Sequence, residues 1–240
     1  MAAFSTRRGG VSAAPWNELN LSEGVGDDTT SVRTNRARLL SALGLDPAAI
    51  AWATQVHGAH VLAPRAPGLA GTGDALVTQS AGVVLAVGAA DCLPLLAWDR
   101  AGRAVAAVHA GWRGLVAGVV PQAIAALERI GVRPGDVSVA LGPRIGPCCF
   151  AVGPDVAARF APALVQRRDG RTTIDLGAAG RAQLASAGVL PERLHDLGDC
   201  TACDPGRYFS HRRDAGRTGR AWGLIALLPA GPRKASESAV

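Results

Sequence analysis

Residues 83–114 read V-V-L-A-V-G-A-A-D-C-L-P-L-L-A-W-D-R-A-G-R-A-V-A-A-V-H-A-G-W-R-G. Three apolar runs, at 83–88, 93–98 and 104–108, are too short for helices and are bounded by breaks. Each reads as a buried strand. Asp91-Cys92 separates the first two, and Asp99-Arg100-Ala101-Gly102 turns the second into the third. A helix is expected after H-A-G-W-R-G at 109–114, because Val116, Val120, Ala123, Leu127 and Ile130 recur at three- and four-residue spacing. Gly131 is its expected C-cap. Pro121, inside that span, either kinks the helix or marks where its regular part begins.

Working outward, 49–56 and 75–77 read as strands upstream, and 137–141 and 222–228 as strands downstream. Helices are expected at 154–160 and 176–187. The mixture implies an α/β or α+β domain, a mixed β-sheet flanked by helices. With no repeat and no linker, residues 1–230 form one domain. The polar stretch G-P-R-K-A-S-E-S-A-V at 231–240 reads as a flexible tail. His109 then lies at a strand end just before a helix, where open α/β sheets place their ligands.

The chain has 240 residues, 48% of them hydrophobic, enough for a substantial core. No apolar stretch reaches the roughly 18–20 residues of a membrane helix. The opening M-A-A-F-S-T-R-R-G-G has no apolar signal region. A cytoplasmic protein is expected. Five cysteines, an odd number, fit reduced thiols better than a disulfide framework. The formal charge of +6 is uneven: residues 1–158 carry 12 Arg against 11 acids, and residues 159–240 carry 13 basic residues against 8 acids. A solvated arginine-rich face or an anionic small substrate accounts for this better than nucleic acid. Aromatic residues make up only 4% of the chain, too few to interleave with the basic ones and stack bases.

The chemistry concentrates in Q-V-H-G at 55–58, A-D-C at 90–92 and H-A-G-W-R-G. Two imidazoles and a thiolate, from His57, Cys92 and His109, can hold one zinc ion with a fourth position open. Spacing alone leaves open whether the three meet, because they lack a compact C-x-x-C or H-x-x-x-H signature. Asp91 is either a turn residue or a group that orients a ligand or moves a proton. Arg113 is placed to clamp a phosphate or carboxylate. Arg144, in L-G-P-R-I-G-P-C-C-F at 141–150, is a second anion contact, and His211, Arg212 and Arg213 in S-H-R-R-D at 210–214 are either a basic wall of the site or an exposed turn. Cys148 and Cys149 read as small buried residues. Cys200-Thr201-Ala202-Cys203 is a lone C-x-x-C that no second pair completes. There is no P-loop, G-T-G-D-A-L at 71–76 lacks the third glycine of a dinucleotide fingerprint, and no His has Glu two residues on, as zinc deaminases require.

F-S-T-R-R-G-G-V-S, N-L-S-E-G-V-G-D-D, T-Q-V-H-G-A-H-V, D-A-L-V-T, A-D-C-L-P-L-L, H-A-G-W-R-G-L, L-G-P-R-I-G-P-C-C-F-A-V-G, C-T-A-C and S-H-R-R-D follow one another in this order. Together they resemble the laccase-domain family, also called polyphenol oxidase, purine nucleoside phosphorylase or peptidoglycan editing factor. The resemblance runs from about residue 4 to 228. It implies a single α/β domain related to a cysteine-hydrolase fold, with His57, Cys92 and His109 gathered around a zinc. Family members often have Tyr-Glu where this chain has Phe150-Ala151.

Three activities follow as expectations from the resemblance. The first is zinc-dependent phosphorolysis of adenosine, inosine and methylthioadenosine, with adenosine deamination beside it. Arg113, with Arg144 or Arg212, would hold phosphate. The second is a cysteine hydrolase acting on a mis-built peptidoglycan precursor, with Cys92 as nucleophile and His109 as base. The third is laccase chemistry, which composition opposes: a four-copper oxidase needs on the order of ten histidines, and this chain has five. Copper is expected at most as an adventitious occupant of the zinc site. The expected partners are a nucleoside and phosphate, with the chain a monomer or a weak homo-oligomer.

Overall fold

The computed structural model describes residues 1–168 and 170–228. The tail expected at 231–240 lies outside the described residues. In chain order the elements begin with β1 (Ala2–Phe4), α1 (Thr29–Ala42), β2 (Ile50–Thr54), β3 (Val61–Leu62) and β4 (Gly68–Thr72). β5 (Ala75–Thr78), β6 (Val84–Ala89), β7 (Leu93–Asp99), β8 (Val105–Ala110), α2 (Trp112–Val116), α3 (Val119–Arg129) and β9 (Val137–Leu141) follow. The remainder are α4 (Pro154–Ala157), β10 (Val165–Arg168), β11 (Arg171–Ile174), α5 (Leu176–Ser186), β12 (Leu194–Asp196) and β13 (Ala221–Ala226).

Two mixed sheets pack face to face. One has the order β1-β13-β6-β2-β4 and the other β12-β9-β7-β8-β5-β3. Side chains of a strand alternate between faces, and here both faces are buried. On β7, Leu95 and Ala97 point to the layer of α3 and α5, while Leu96 points to the other sheet. On β6, Leu85 and Val87 join Leu96, Leu76 and Ala107 between the sheets, while Val84 and Ala86 face Leu40 of α1. The order of layers is therefore helix, sheet, sheet, helix. Burial on both faces explains why these strands read as continuous apolar runs rather than alternating ones. Leu85, Leu95 and Leu96 are essentially solvent-free, and each contributes about 1.5–3 kcal/mol by burial.

The helix expected after 109–114 is two helices. Gly118, at φ 80°, adopts the left-handed conformation between α2 and α3 that glycine reaches without strain. Pro121 falls in the first turn of α3, where its missing N–H costs no helical bond. It therefore marks where the regular helix begins. Gly131, at φ 86°, closes α3 as expected. The helix expected at 154–160 stops at Ala157. Ala161 precedes Pro162 and is extended, as residues before proline prefer.

Open parallel sheets place ligands at a strand order switch, but that rule does not describe this site. β8 is antiparallel to both β5 and β7, so His109 sits in a hairpin context. Among the described residues no helix is long and apolar enough to cross a membrane.

Candidate functional site

His57, Cys92 and His109 converge, with one donor atom from each lying within 4.8 Å of the others. The β7–β8 hairpin accounts for two of them. Its register pairs Leu93 with Ala110 and Pro94 with His109, so Cys92 comes opposite Gly111. By alternation, Cys92 and His109 lie on the strand faces that carry Leu96 and Ala107 toward the other sheet. His57 arrives from that other sheet, on the loop after β2. Gln55 anchors the loop by exchanging two hydrogen bonds with the backbone of Gly88 in β6, at 2.8 and 2.7 Å. His57 itself takes φ 60°, an uncommon conformation for a non-glycine residue, which turns its imidazole toward His109. The two rings meet edge to face with centroids 4.8 Å apart. Gly111 permits the convergence: a Cβ there would stand 2.9 Å from the Cys92 sulfur and 3.0 Å from the His57 ring.

Asp74 holds the cluster together, and it was missed in the sequence because nothing around it pairs with it locally. It sits just before β5, in the G-T-G-D-A-L stretch, and is fully buried. Its carboxylate accepts backbone N–H bonds from Val56, His57 and Gly58 at 3.2, 2.9 and 2.7 Å. It also bonds Nδ1 of His109 at 2.9 Å. One side chain thus shapes the His57 loop and orients the His109 ring. With Nδ1 engaged by a carboxylate, Nε2 is the nitrogen presented to the cluster. Metal-ligating histidines are commonly supported in this way.

Burial pushes the Cys92 thiol up, but the facing His109 and His57 imidazoles outweigh it and bring it down to about 6. Burial lowers His109, while the Cys92 thiolate and Asp74 raise it to about 9. Burial likewise raises Asp74, yet the His109 bond and the loop N–H donors hold it below the usual carboxylate range. The metal-free site is therefore a thiolate–imidazolium pair backed by a carboxylate. Alkylation of Cys92 in metal-free protein is expected to rise with pH around a midpoint near 6, against 9.0 for an ordinary thiol. A midpoint in the ordinary thiol range would refute this pairing. In stability terms, the lowered thiol contributes less as pH falls through about 6. The raised imidazole contributes less as pH rises through about 9. Because the thiol's loss runs from 9.0 down to about 6 and the imidazole's from 6.5 up to about 9, the two slopes nearly cancel across that range and the pair creates no stability maximum within it.

The other predicted residues fall differently. Asp91 takes φ 89°, and both its carboxylate oxygens are occupied. Thr201 Oγ1 donates to one at 2.6 Å, and the Arg212 backbone N–H to the other at 2.7 Å. It ties the 200–212 segment to the strand end that carries Cys92. Arg144 is buried and donates to both oxygens of Asp196 at 2.7 and 3.0 Å. This corrects its expected role, because both ends of its guanidinium fork are committed to the Asp196 carboxylate and are not presented to an anion. The Arg212 side chain reaches the Ala151 carbonyl at 2.8 Å and lies over the Phe150 ring. Arg113 is exposed and stacks on Trp112, 4.4 Å from the ring centroid, leaving its donors available.

Arg220, which no sequence motif marked, is another cation beside the cluster. Burial lowers it while the charges of Cys92 and Asp91 raise it. A cleft of about 330 Å³ between Leu115, Pro121, Phe160, Leu164 and Ala187 contains none of the three donors and offers no comparable chemistry.

Two imidazoles and a thiolate suit a borderline-soft ion such as zinc, and three protein ligands leave a position open. His57 is exposed while Cys92 is half-buried, so solvent reaches the cluster from the His57 side.

The family described as multi-copper polyphenol oxidoreductase laccase matches residues 1–228. A protein of Deinococcus radiodurans named purine nucleoside phosphorylase is 45% identical over 230 residues, covering 94% of this chain and 88% of that protein. A Streptomyces griseus protein, purine nucleoside phosphorylase ORF3, is 41% identical over 233 residues, covering 94% and 93%. Among solved structures, YlmD from Geobacillus stearothermophilus superimposes with a TM-score of 0.91 at 34% identity, covering 95% of this chain and 92% of that one. The chain belongs to the multi-copper polyphenol oxidoreductase laccase family.

Proposed function

We propose that this protein is a zinc-dependent purine nucleoside phosphorylase acting on adenosine, inosine and methylthioadenosine, with adenosine deamination as a side activity. The observation that carries the reading is the convergence of His57, Cys92 and His109 in a chain whose relatives bear that name. A zinc ion held by these residues would supply Lewis-acid polarisation of a substrate oxygen. The chain's own residues do the rest. Asp74 fixes the His109 ring and the His57 loop. Arg113 and Arg220 offer positive charge to phosphate. In phosphorolysis a phosphate oxygen bonds the ribose C1′ carbon, and the purine leaves with the electron pair of the broken C1′–N bond. Five histidines argue against a four-copper oxidase.

The test is incubation of the purified protein with adenosine, with and without phosphate. Adenine formed only with phosphate is the expected result, with some inosine in both. Absence of both products overturns the reading. A second reading is favoured by one observation: Cys92, His109 and Asp74 lie in the order of nucleophile, base and orienting acid, with the sulfur within 4.8 Å of a His109 ring nitrogen and Nδ1 of His109 bonded to Asp74 at 2.9 Å. That reading is a cysteine hydrolase, which the resemblance directs to mis-built peptidoglycan precursors. Metal removal separates the two, because a hydrolase using a free Cys92 thiolate keeps or gains activity when the metal leaves.

A further inference from the structure

A second sulfur cluster lies outside the site just described. Cys148-Cys149 and Cys200…Cys203 stand 51 or more residues apart in sequence, yet their four sulfurs lie within 4.8 Å of one another. The Cys203 sulfur is 3.6 Å from that of Cys148 and 3.4 Å from that of Cys149. All four are free thiols, since a disulfide requires about 2.05 Å. A tetrahedral ion with metal–sulfur bonds of about 2.3 Å spaces its sulfurs roughly 3.8 Å apart, close to what is found.

The backbone is built to hold the thiols there. Each pair sits on a tight turn. Cys149 and Phe150 donate back to the Gly146 carbonyl at 3.0 and 2.9 Å, and Cys203 donates to the Cys200 carbonyl at 3.2 Å. The two turns are locked together by a bridge between Arg144 and Cys200, with the Thr201 N–H on the Arg144 carbonyl at 2.9 Å. The Gly146 N–H points at the Cys200 sulfur at 3.2 Å. A backbone donor on sulfur is the support that a metal-bound thiolate receives. Cys148 and Cys203 are exposed, and a bare cluster of this kind would be open to oxidation.

We propose that Cys148, Cys149, Cys200 and Cys203 form a closed tetrathiolate site for one structural zinc ion, separate from the His57–Cys92–His109 centre. Four protein ligands leave no open position, so the ion binds no substrate. Its place in the fold gives it a purpose. Thr201, between two of the ligands, donates to Asp91 beside Cys92. The ion would pin the 144–150 and 200–203 turns to each other and so hold one wall of the neighbouring centre. The inference does not depend on the reaction proposed above.

Metal content of the full-length protein, purified without chelator, tests this. About two zinc ions per chain are expected, with about one left in Cys92→Ala. The Cys148→Ser/Cys203→Ser double variant should also keep about one ion and melt at a lower temperature. After cobalt exchange, the sulfur-to-cobalt absorption of a four-sulfur site should persist in Cys92→Ala. If the double variant fails to fold, wild type and Cys92→Ala still decide the matter. An ion count of about one in wild type that falls to none in Cys92→Ala overturns the proposal. So does an intact mass showing these cysteines joined as disulfides, or full labelling of all four by a thiol reagent in the native, metal-loaded protein.

Discussion

Replacing Cys92 by alanine is expected to remove the ion at the His57–Cys92–His109 centre and to lower phosphorolysis by about 10³-fold or more. The magnitude follows from losing several kcal/mol of charge stabilisation. Two imidazoles alone, one of them exposed, make a poor site for a borderline-soft ion. The loss should not be one of folding. The cavity is small, Leu93 and Pro94 keep their pairing with Ala110 and His109, and the Asp74 network does not touch the sulfur. Zinc analysis, a thermal melt and the adenosine assay on the same preparation check this. A Cys92→Ala protein that still phosphorolyses adenosine at the wild-type rate refutes the site assignment.

Asp74→Ala is expected to act on fold and site together. It leaves three loop N–H groups and a buried imidazole without their acceptor. Breaking a buried charged network in this way costs about 3–5 kcal/mol. Metal affinity should fall about 10–100-fold, the usual effect of removing a partner behind a ligating histidine. Asp74→Asn separates the two effects. Its amide keeps one accepting oxygen for the loop but cannot accept at both positions, so the His109 tautomer is no longer fixed. Denaturant melts and zinc competition with a chromophoric chelator measure both. Unchanged metal affinity in Asp74→Asn would mean that the carboxylate shapes the loop and does nothing for the ring.

The strands that carry the centre were legible from the residues alone. β6, β7, β8 and β9 are short, mostly apolar runs, and burial on both faces is why they do not alternate with polar residues. α3 was legible from its three- and four-residue apolar spacing. α1 was not: of its fourteen residues only Val32, Asn35 and Leu40 are buried, too narrow a stripe to stand out. The β10–β11 hairpin, V-Q-R-R against R-T-T-I, carries too little apolar pattern to be recognised.

The residue chemistry divides in the same way. The sequence by itself determined the α/β class, the central hairpin and the identity of His57, Cys92 and His109 as the residues with zinc-binding side chains beside small neighbours. Tertiary structure alone decided that the three meet, that Asp74 rather than Asp91 orients the histidine, and that Arg144 serves Asp196. It also joined a vicinal pair and a lone C-x-x-C, each weak in isolation, into one cluster of four thiols. The physical reason is range. Apolar periodicity and turn signals are written within a few residues of the structure they specify. A carboxylate or a thiol takes its role from whichever strand end and loop the packing of two sheets brings against it.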